Sequence, residues 1–162
     1  MNIIITAPKH LGKSTAISKL LSLLPGKVSG FITEFIDRES DDRVLKLRNI
    51  DGTQVADAVT WVNKVHTVDF SAFDSFAPGL IELDSNFIVI DELGKFEKNC
   101  ENLRKAVEGA FDSDCHVIAS VRLDAAGWMQ ELKNRSDVLV ITLDYSNRDS
   151  VPDIIANKLC LS

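Results

Sequence analysis

The chain has 162 residues, which at roughly 150 residues per domain reads as one domain over residues 1–162. Its 18 Lys and Arg against 24 Asp and Glu leave a net charge of −6, which argues against nucleic acid as a partner, because such binding draws on a basic surface. The 3 cysteines show no C-x-x-C spacing, which excludes a disulfide framework and a typical structural zinc site and suits a reducing compartment.

The amino terminus, Met1-Asn2-Ile3-Ile4-Ile5-Thr6, lacks the basic flank of a signal peptide. No apolar run approaches the ~20 residues of a membrane span, so the expected location is cytoplasmic. Ile3-Ile4-Ile5 reads as a short buried strand ending at Thr6-Ala7-Pro8. From Ser14 to Leu24, apolar residues at Ile17, Leu20, Leu21 and Leu24 mark one helix face, and Pro25-Gly26 stops the helix. Val28 to Ile36 and Val44 to Ile50 read as strands joined through the polar stretch Arg38-Glu39-Ser40-Asp41-Asp42. A connection so short makes them antiparallel. Thr53 to Val68 holds one or two short strands. Asp69 is placed to cap a helix carrying Phe70, Phe73 and Ala77.

Phe87-Ile88-Val89-Ile90 is a buried-strand run, followed by a helical pattern at Leu103, Val107, Ala110 and Phe111. Val117 to Val121 and Val138 to Ile141 are two more strands. A last helix carries Val151, Ile154, Ile155 and Leu159, with Pro152 in its first turn. Strands alternating with helices predict a parallel sheet covered on both faces, to which the central hairpin is an addition.

The segment Ala7-Pro8-Lys9-His10-Leu11-Gly12-Lys13-Ser14-Thr15 has the pattern G-x-x-x-x-G-K-[ST], with Ala7 in the first glycine position. It follows a strand and opens a helix, as a phosphate-binding loop requires. Backbone N–H groups and the positive helix end attract phosphates, and Gly12 permits close approach. Lys13 is expected at the β- and γ-phosphates, and Ser14 on Mg²⁺ through its hydroxyl. Ala7 tolerates positive φ less well than glycine, and His10 is bulky for a loop that wraps an anion.

Asp91-Glu92 ends the run Phe87–Ile90, and ligands of parallel α/β sheets sit at strand carboxyl ends. Asp91 is the expected second metal-holding group, and Glu92 the group that orients or deprotonates a water. Arg122 follows the strand ending at Val121 and either contacts the γ-phosphate or forms a structural ion pair. Asn147 and Arg148 follow the last strand, where they either border the base or cap the last helix and face solvent. Lys95 reads equally as a phosphate contact or a solvated loop residue, and Glu97 as a helix-start acid. His66 and His116 lack a metal-ligand partner, and Trp61 and Trp128 have no place fixed by the pattern.

With both motifs in hand, the sequence resembles the THEP1 family of nucleoside-triphosphatases. The resemblance rests on the amino-terminal phosphate loop, on Val28-Ser29-Gly30-Phe31-Ile32-Thr33-Glu34, and on Asp69-Phe70-Ser71-Ala72-Phe73. It also rests on Ile90-Asp91-Glu92-Leu93-Gly94-Lys95-Phe96-Glu97 and Asn147-Arg148-Asp149. It implies an α/β P-loop NTPase fold of the additional-strand type, a three-layer sandwich whose mostly parallel sheet carries an antiparallel hairpin. It also implies Mg²⁺-dependent hydrolysis of ATP, GTP and other nucleoside triphosphates with relaxed base preference. Ala7 and His10 stand where the family loop usually has glycine, and Ser14 where it has threonine. Two other functions use the same loop. One is a nucleoside or nucleotide kinase, which usually clamps its acceptor with clustered arginines; the 7 arginines here are scattered along the sequence. The other is a nucleotide-binding module with vestigial hydrolysis.

Overall fold

Strand β1 (Asn2–Thr6) is buried along its whole length in the computed structural model, which describes residues 1–160. The elements that follow are α1 (Lys13–Leu21), β2 (Val28–Ile36), β3 (Arg43–Asn49), β4 (Val55–Val62), β5 (Val65–Val68) and α2 (Phe70–Asp74). The second half contributes β6 (Phe87–Leu93), a 3₁₀ turn (Glu97–Asn99), α3 (Glu101–Phe111), β7 (His116–Val121), α4 (Trp128–Lys133), β8 (Val138–Thr142) and α5 (Val151–Cys160).

All eight strands form one sheet in the order β5-β4-β3-β2-β6-β7-β1-β8. From β2 to β8 every neighbouring pair is parallel. From β2 to β5 every pair is antiparallel. The ambiguous stretch from Thr53 to Val68 is therefore two strands, and the expected hairpin grows into a four-stranded meander that shares β2 with the parallel part. Gly30 is what lets β2 lie against β6. Its φ is 108°, and a Cβ there would fall 2.0 Å from the carbonyl oxygen of Val89.

Side chains of the buried strands alternate between two cores, as the two-residue period of a strand requires. Ile3 and Ile5 of β1 and Phe87 and Val89 of β6 pack under Ile17 and Leu20 of α1 and Ile155 and Leu159 of α5. Ile4, Ile88 and Ile90 face the other way, against Leu103, Val107 and Phe111 of α3 and Trp128 and Met129 of α4. That is the three-layer arrangement. Each of these fully buried isoleucines contributes about 2 kcal/mol of transfer free energy.

Several local details follow from the residues. Helix α1 ends at Leu21, short of Leu24, and the Ser22 hydroxyl donates to the Lys19 carbonyl at 2.7 Å. Asp69 caps α2 by accepting from the backbone N–H groups of Ser71 (2.9 Å) and Ala72 (3.1 Å). The cap holds a helix that closes at Asp74, before Ala77. β8 is an edge strand, so its apolar residues are not enclosed as in a central one: Leu139 and Val140 are exposed. No helix among the described residues is long and apolar enough to cross a membrane.

Candidate active site at the carboxyl ends of the central strands

Because β1, β2, β6 and β7 run parallel, their carboxyl ends share one edge of the sheet. A cleft of about 1030 Å³ opens there. The phosphate loop forms one wall, through Ala7, Pro8, Lys9, His10, Lys13 and Ser14. Gly12 is the N-cap of α1 with φ 94°, and no atom stands within 4 Å of where its Cβ would be. The first hydrogen bond of the helix runs from Ala16 N–H to Gly12 C=O at 2.9 Å. The amides that precede it are free of helical partners, as at any helix start, and aim along the axis. Leu11 is buried in the core and Thr15 is exposed outside the cleft lining.

The loop does not strain where the alanine replaces glycine. Ala7 is buried and its φ is not positive; the positive φ falls at His10, 63°. A non-glycine residue in that conformation costs on the order of 1 kcal/mol or more, held by the surrounding loop.

β7 lies between β1, which carries the loop, and β6, which carries Asp91 and Glu92. One inserted strand between these two is the additional-strand topology. Lys13, 8% exposed, reaches Glu92 Oε2 at 3.5 Å across the cleft. The Asp91–Glu92 peptide is cis. Asp91 lies beneath them, 2% exposed, and one of its oxygens, Oδ1, has no hydrogen-bond partner. Burial pushes its carboxyl up to about 6, while the Ser120 and Ser14 hydroxyls beside it pull the other way.

An orphaned carboxylate oxygen beside a serine hydroxyl is a fitting oxygen set for a hard divalent cation, which takes few protein ligands and keeps waters. Among the described residues no cluster of three His, Cys, Asp or Glu side chains stands ready to enclose a metal by itself.

Glu97 is the residue whose place the sequence does not show. It opens the 3₁₀ turn as expected of a helix-start acid, yet it is 2% exposed and lines the cleft. Its Oε2 accepts from the Gly94 N–H at 2.8 Å. Burial pushes its carboxyl up to about 7, aided by the nearby charge of Glu92. Gly94 is tight against a different neighbour: a Cβ there would meet Arg122 Cδ at 2.8 Å.

Arg122 lines the cleft, and its guanidinium forks onto Asp124 with bonds of 2.9 and 2.8 Å, so the structural ion pair is formed. The far wall belongs to the meander and the loop after β6: Thr33, Glu34, Phe35, Arg38, Arg43, Leu45, Trp61, Lys95 and Phe96. The scattered arginines thus converge, with Arg38, Arg43 and Arg122 on one cleft. Trp61 is one wall of it, whereas Trp128 is core. His66 packs on Trp61 and Phe96, and His116 accepts from the amino terminus.

Asn147 and Arg148 stand outside the cleft lining. Asn147 knits the loop after β8: its Oδ1 accepts from Asp144 N–H at 2.9 Å and its Nδ2 donates to Thr142 C=O at 3.0 Å. Arg148 lies over the exposed Tyr145 ring, 5.3 Å from its centroid. That loop starts beside the phosphate loop, where Leu143 N–H donates to Thr6 C=O at 2.8 Å.

A phosphate loop closing on an Asp-Glu pair at a strand end, its Asp buried, with one strand between them, defines the chain as a P-loop NTPase of the additional-strand class. A family model described as NTPase matches residues 2–156, and the chain belongs to that family. It is 33% identical to the nucleoside-triphosphatase THEP1 of Thermotoga maritima, over 98% of this chain and 95% of that one. A second relative of that name, from Natranaerobius thermophilus, is 28% identical over 98% of this chain and 96% of its own. Among solved structures, THEP1 from Aquifex aeolicus superimposes with a TM-score of 0.82 at 24% identity, covering 98% of this chain and 99% of that one. A human cancer-related nucleoside triphosphatase does so at 0.79 and 21%, covering 99% and 98%. These two establish the shared fold.

Proposed function

We propose that the chain is a Mg²⁺-dependent nucleoside-triphosphate phosphohydrolase that takes ATP, GTP and other nucleoside triphosphates with little base preference. The observation that carries the reading is the Lys13–Glu92 pair, 3.5 Å apart across a cleft that starts at a helix amino terminus. The loop amides and the positive end of α1 hold the β- and γ-phosphates of the substrate. Lys13 neutralises charge that grows on the γ-phosphoryl oxygens and the leaving oxygen. Glu92 accepts a hydrogen bond from the attacking water and takes its proton as the new P–O bond forms. The bond from the γ-phosphorus to the β–γ bridging oxygen breaks, and the diphosphate leaves with its electron pair.

Ser14 and Asp91 are the side chains that would hold Mg²⁺, which supplies charge neutralisation at the phosphates. Arg122 adds a further cation at the γ-phosphate end on release from Asp124. Its place on the cleft supports that role, and its fork onto Asp124 holds it ready.

Relaxed base preference follows from where the base would lie. The loop after β8, carrying Asn147 and Arg148, starts beside the phosphate loop and presents an exposed Tyr145 with a guanidinium over it. A stacking surface accepts every base, since each has a π face. We place the enzyme in the cytoplasm, a reducing compartment that suits its free thiols Cys100, Cys115 and Cys160.

Phosphate release from ATP, GTP, CTP and UTP, with Mg²⁺ and with a chelator, tests the reading. Release from all four within about tenfold of one another, abolished by the chelator and by Ser14→Ala with Asp91→Asn, is expected. Release from a single triphosphate, or release indifferent to the metal, contradicts it.

A further inference from the structure

The phosphate loop accounts for only one end of the cleft. The other end has a composition of its own. Phe35, Trp61 and Phe96 make a ring cluster there, with centroids 5.7 Å apart for Phe35–Trp61 and for Trp61–Phe96. Three cations lie on those rings: Arg38 over Phe35 at 5.3 Å, Arg43 over Trp61 at 4.7 Å and Lys95 over Phe96 at 4.6 Å. The strand register produces this by pairing Arg43 with Trp61 and Phe35 with Leu45 across β2, β3 and β4.

Arg38, Arg43 and Lys95 form no ion pair among the described residues, although the chain carries six more acids than bases. Elsewhere Lys46 pairs with Asp57, Arg104 with Glu108 and Arg135 with Asp112 and Asp137. Glu34 also lines the cleft, and it too forms no ion pair among the described residues. Arg43 donates to the Ser40 carbonyl at 3.0 Å, which fixes one edge of its guanidinium. The plane of a guanidinium stacked on a ring has a second, open face, and its remaining N–H groups point sideways. Such a face takes a flat ring, and such an edge takes a carboxylate or phosphate.

We infer that this end of the cleft is a second ligand site, for a small planar aromatic molecule carrying one anionic group, bound together with the nucleoside triphosphate. A nucleoside monophosphate and an aromatic carboxylate both have that chemistry. The volume of the cleft, about 1030 Å³, lies just above the ~300–1,000 Å³ range of single-ligand sites, which leaves room for a small second occupant beside the triphosphate. The base of the triphosphate does not compete for this end, because the loop after β8 adjoins the phosphate loop on the other side of β1. The inference therefore rests on the triphosphate position proposed above.

The test titrates adenosine 5′-monophosphate and 1-naphthoate by calorimetry into the protein, alone and saturated with Mg²⁺ and a non-hydrolysable ATP analogue. At least one probe is expected to bind the loaded protein; which one does identifies phosphate or carboxylate as the preferred anion. Adenosine and ribose 5-phosphate, each with half of the required chemistry, are expected to bind about tenfold or more weakly than the monophosphate if it is the one that binds. Arg43→Gln and Lys95→Met should each weaken the bound probe about tenfold while leaving analogue affinity within about twofold. Melting curves of the two variants establish that they fold, and Lys95, exposed in a loop, serves if Arg43→Gln does not. Displacement of the probe by the analogue overturns the inference, as does absence of binding by either probe at about 1 mM. Unchanged affinity in both variants overturns it too. If the analogue itself fails to bind the wild type, the triphosphate assignment has failed. Probe titration into the unloaded wild type and Arg43→Gln then still decides the second site.

Discussion

Lys13 Nζ stands 3.5 Å from Glu92 Oε2, although 79 positions separate them in sequence. One group comes from the first turn of α1 and the other from the end of β6. Lys13 is 8% exposed and Glu92 29%, so the pair is only partly screened by water. The cation and the carboxylate to which the proposed reaction assigns the γ-phosphate and the attacking water therefore face the same space.

Lys13→Ala is expected to lose nucleotide affinity by tenfold or more, on the order of 1.5 kcal/mol or above, and to abolish turnover. Calorimetric titration of a non-hydrolysable ATP analogue with Mg²⁺ measures the first, phosphate release the second. Wild-type affinity in the variant would mean that Lys13 does not touch the phosphates.

Gly30→Ala is expected to destabilise the fold by about 2–4 kcal/mol or to prevent folding. The added Cβ would fall 2.0 Å from a backbone oxygen of the neighbouring strand, at a φ of 108° that alanine rarely adopts. Urea unfolding gives the number, and a loss under about 0.5 kcal/mol would contradict the close approach of β2 and β6.

Two buried carboxyls give stability a direction with pH. Asp91 titrates at about 6 against an ordinary 3.8, and Glu97 at about 7 against an ordinary 4.5. In the folded chain both hold protons that the unfolded chain has already released, so stability falls as pH rises through those windows and levels off above about 7. Glu97→Gln keeps an acceptor for the Gly94 N–H and removes its share of the slope, on the order of 3 kcal/mol between about pH 4 and pH 8. Urea midpoints of wild type and variant across that range check it. An undiminished slope in the variant would show that the Glu97 carboxyl is not held protonated.

The legible part of this protein is local. A strand, a loop and a helix in immediate succession identified the phosphate loop, and four apolar residues before Asp91-Glu92 placed that pair at a strand end. Asp69 as a cap could be read because its partners are two and three residues away. What escaped depends on packing between distant segments. Glu97 reads as a first-turn acid because nothing adjacent reveals that the cleft buries it. Arg38, Arg43 and Arg122 look scattered until the meander and β7 bring them to one cleft. The strain expected at Ala7 fell at His10, because which loop residue takes the left-handed conformation is set by how the whole loop closes.

His10→Gly tests that point. It relieves left-handed strain of about 1 kcal/mol and loses a similar amount to chain entropy, so stability should change by less than about 1 kcal/mol. His10→Val, with a β-branched side chain at φ 63°, should instead cost about 1–2 kcal/mol. Equal stability of the two variants in thermal melts would contradict the assigned backbone.

The most direct measurement is single-turnover hydrolysis of ATP with Mg²⁺ by wild type and Glu92→Gln, with nucleotide affinity measured in parallel. Glu92→Gln keeps the shape of the side chain but cannot take a proton from water. The variant is expected to bind ATP at least as tightly as wild type, since a carboxylate that pairs with Lys13 is gone, while hydrolysis falls by about 10²-fold or more. Hydrolysis at the wild-type rate in a variant that binds ATP normally would contradict Glu92 as the group that activates water.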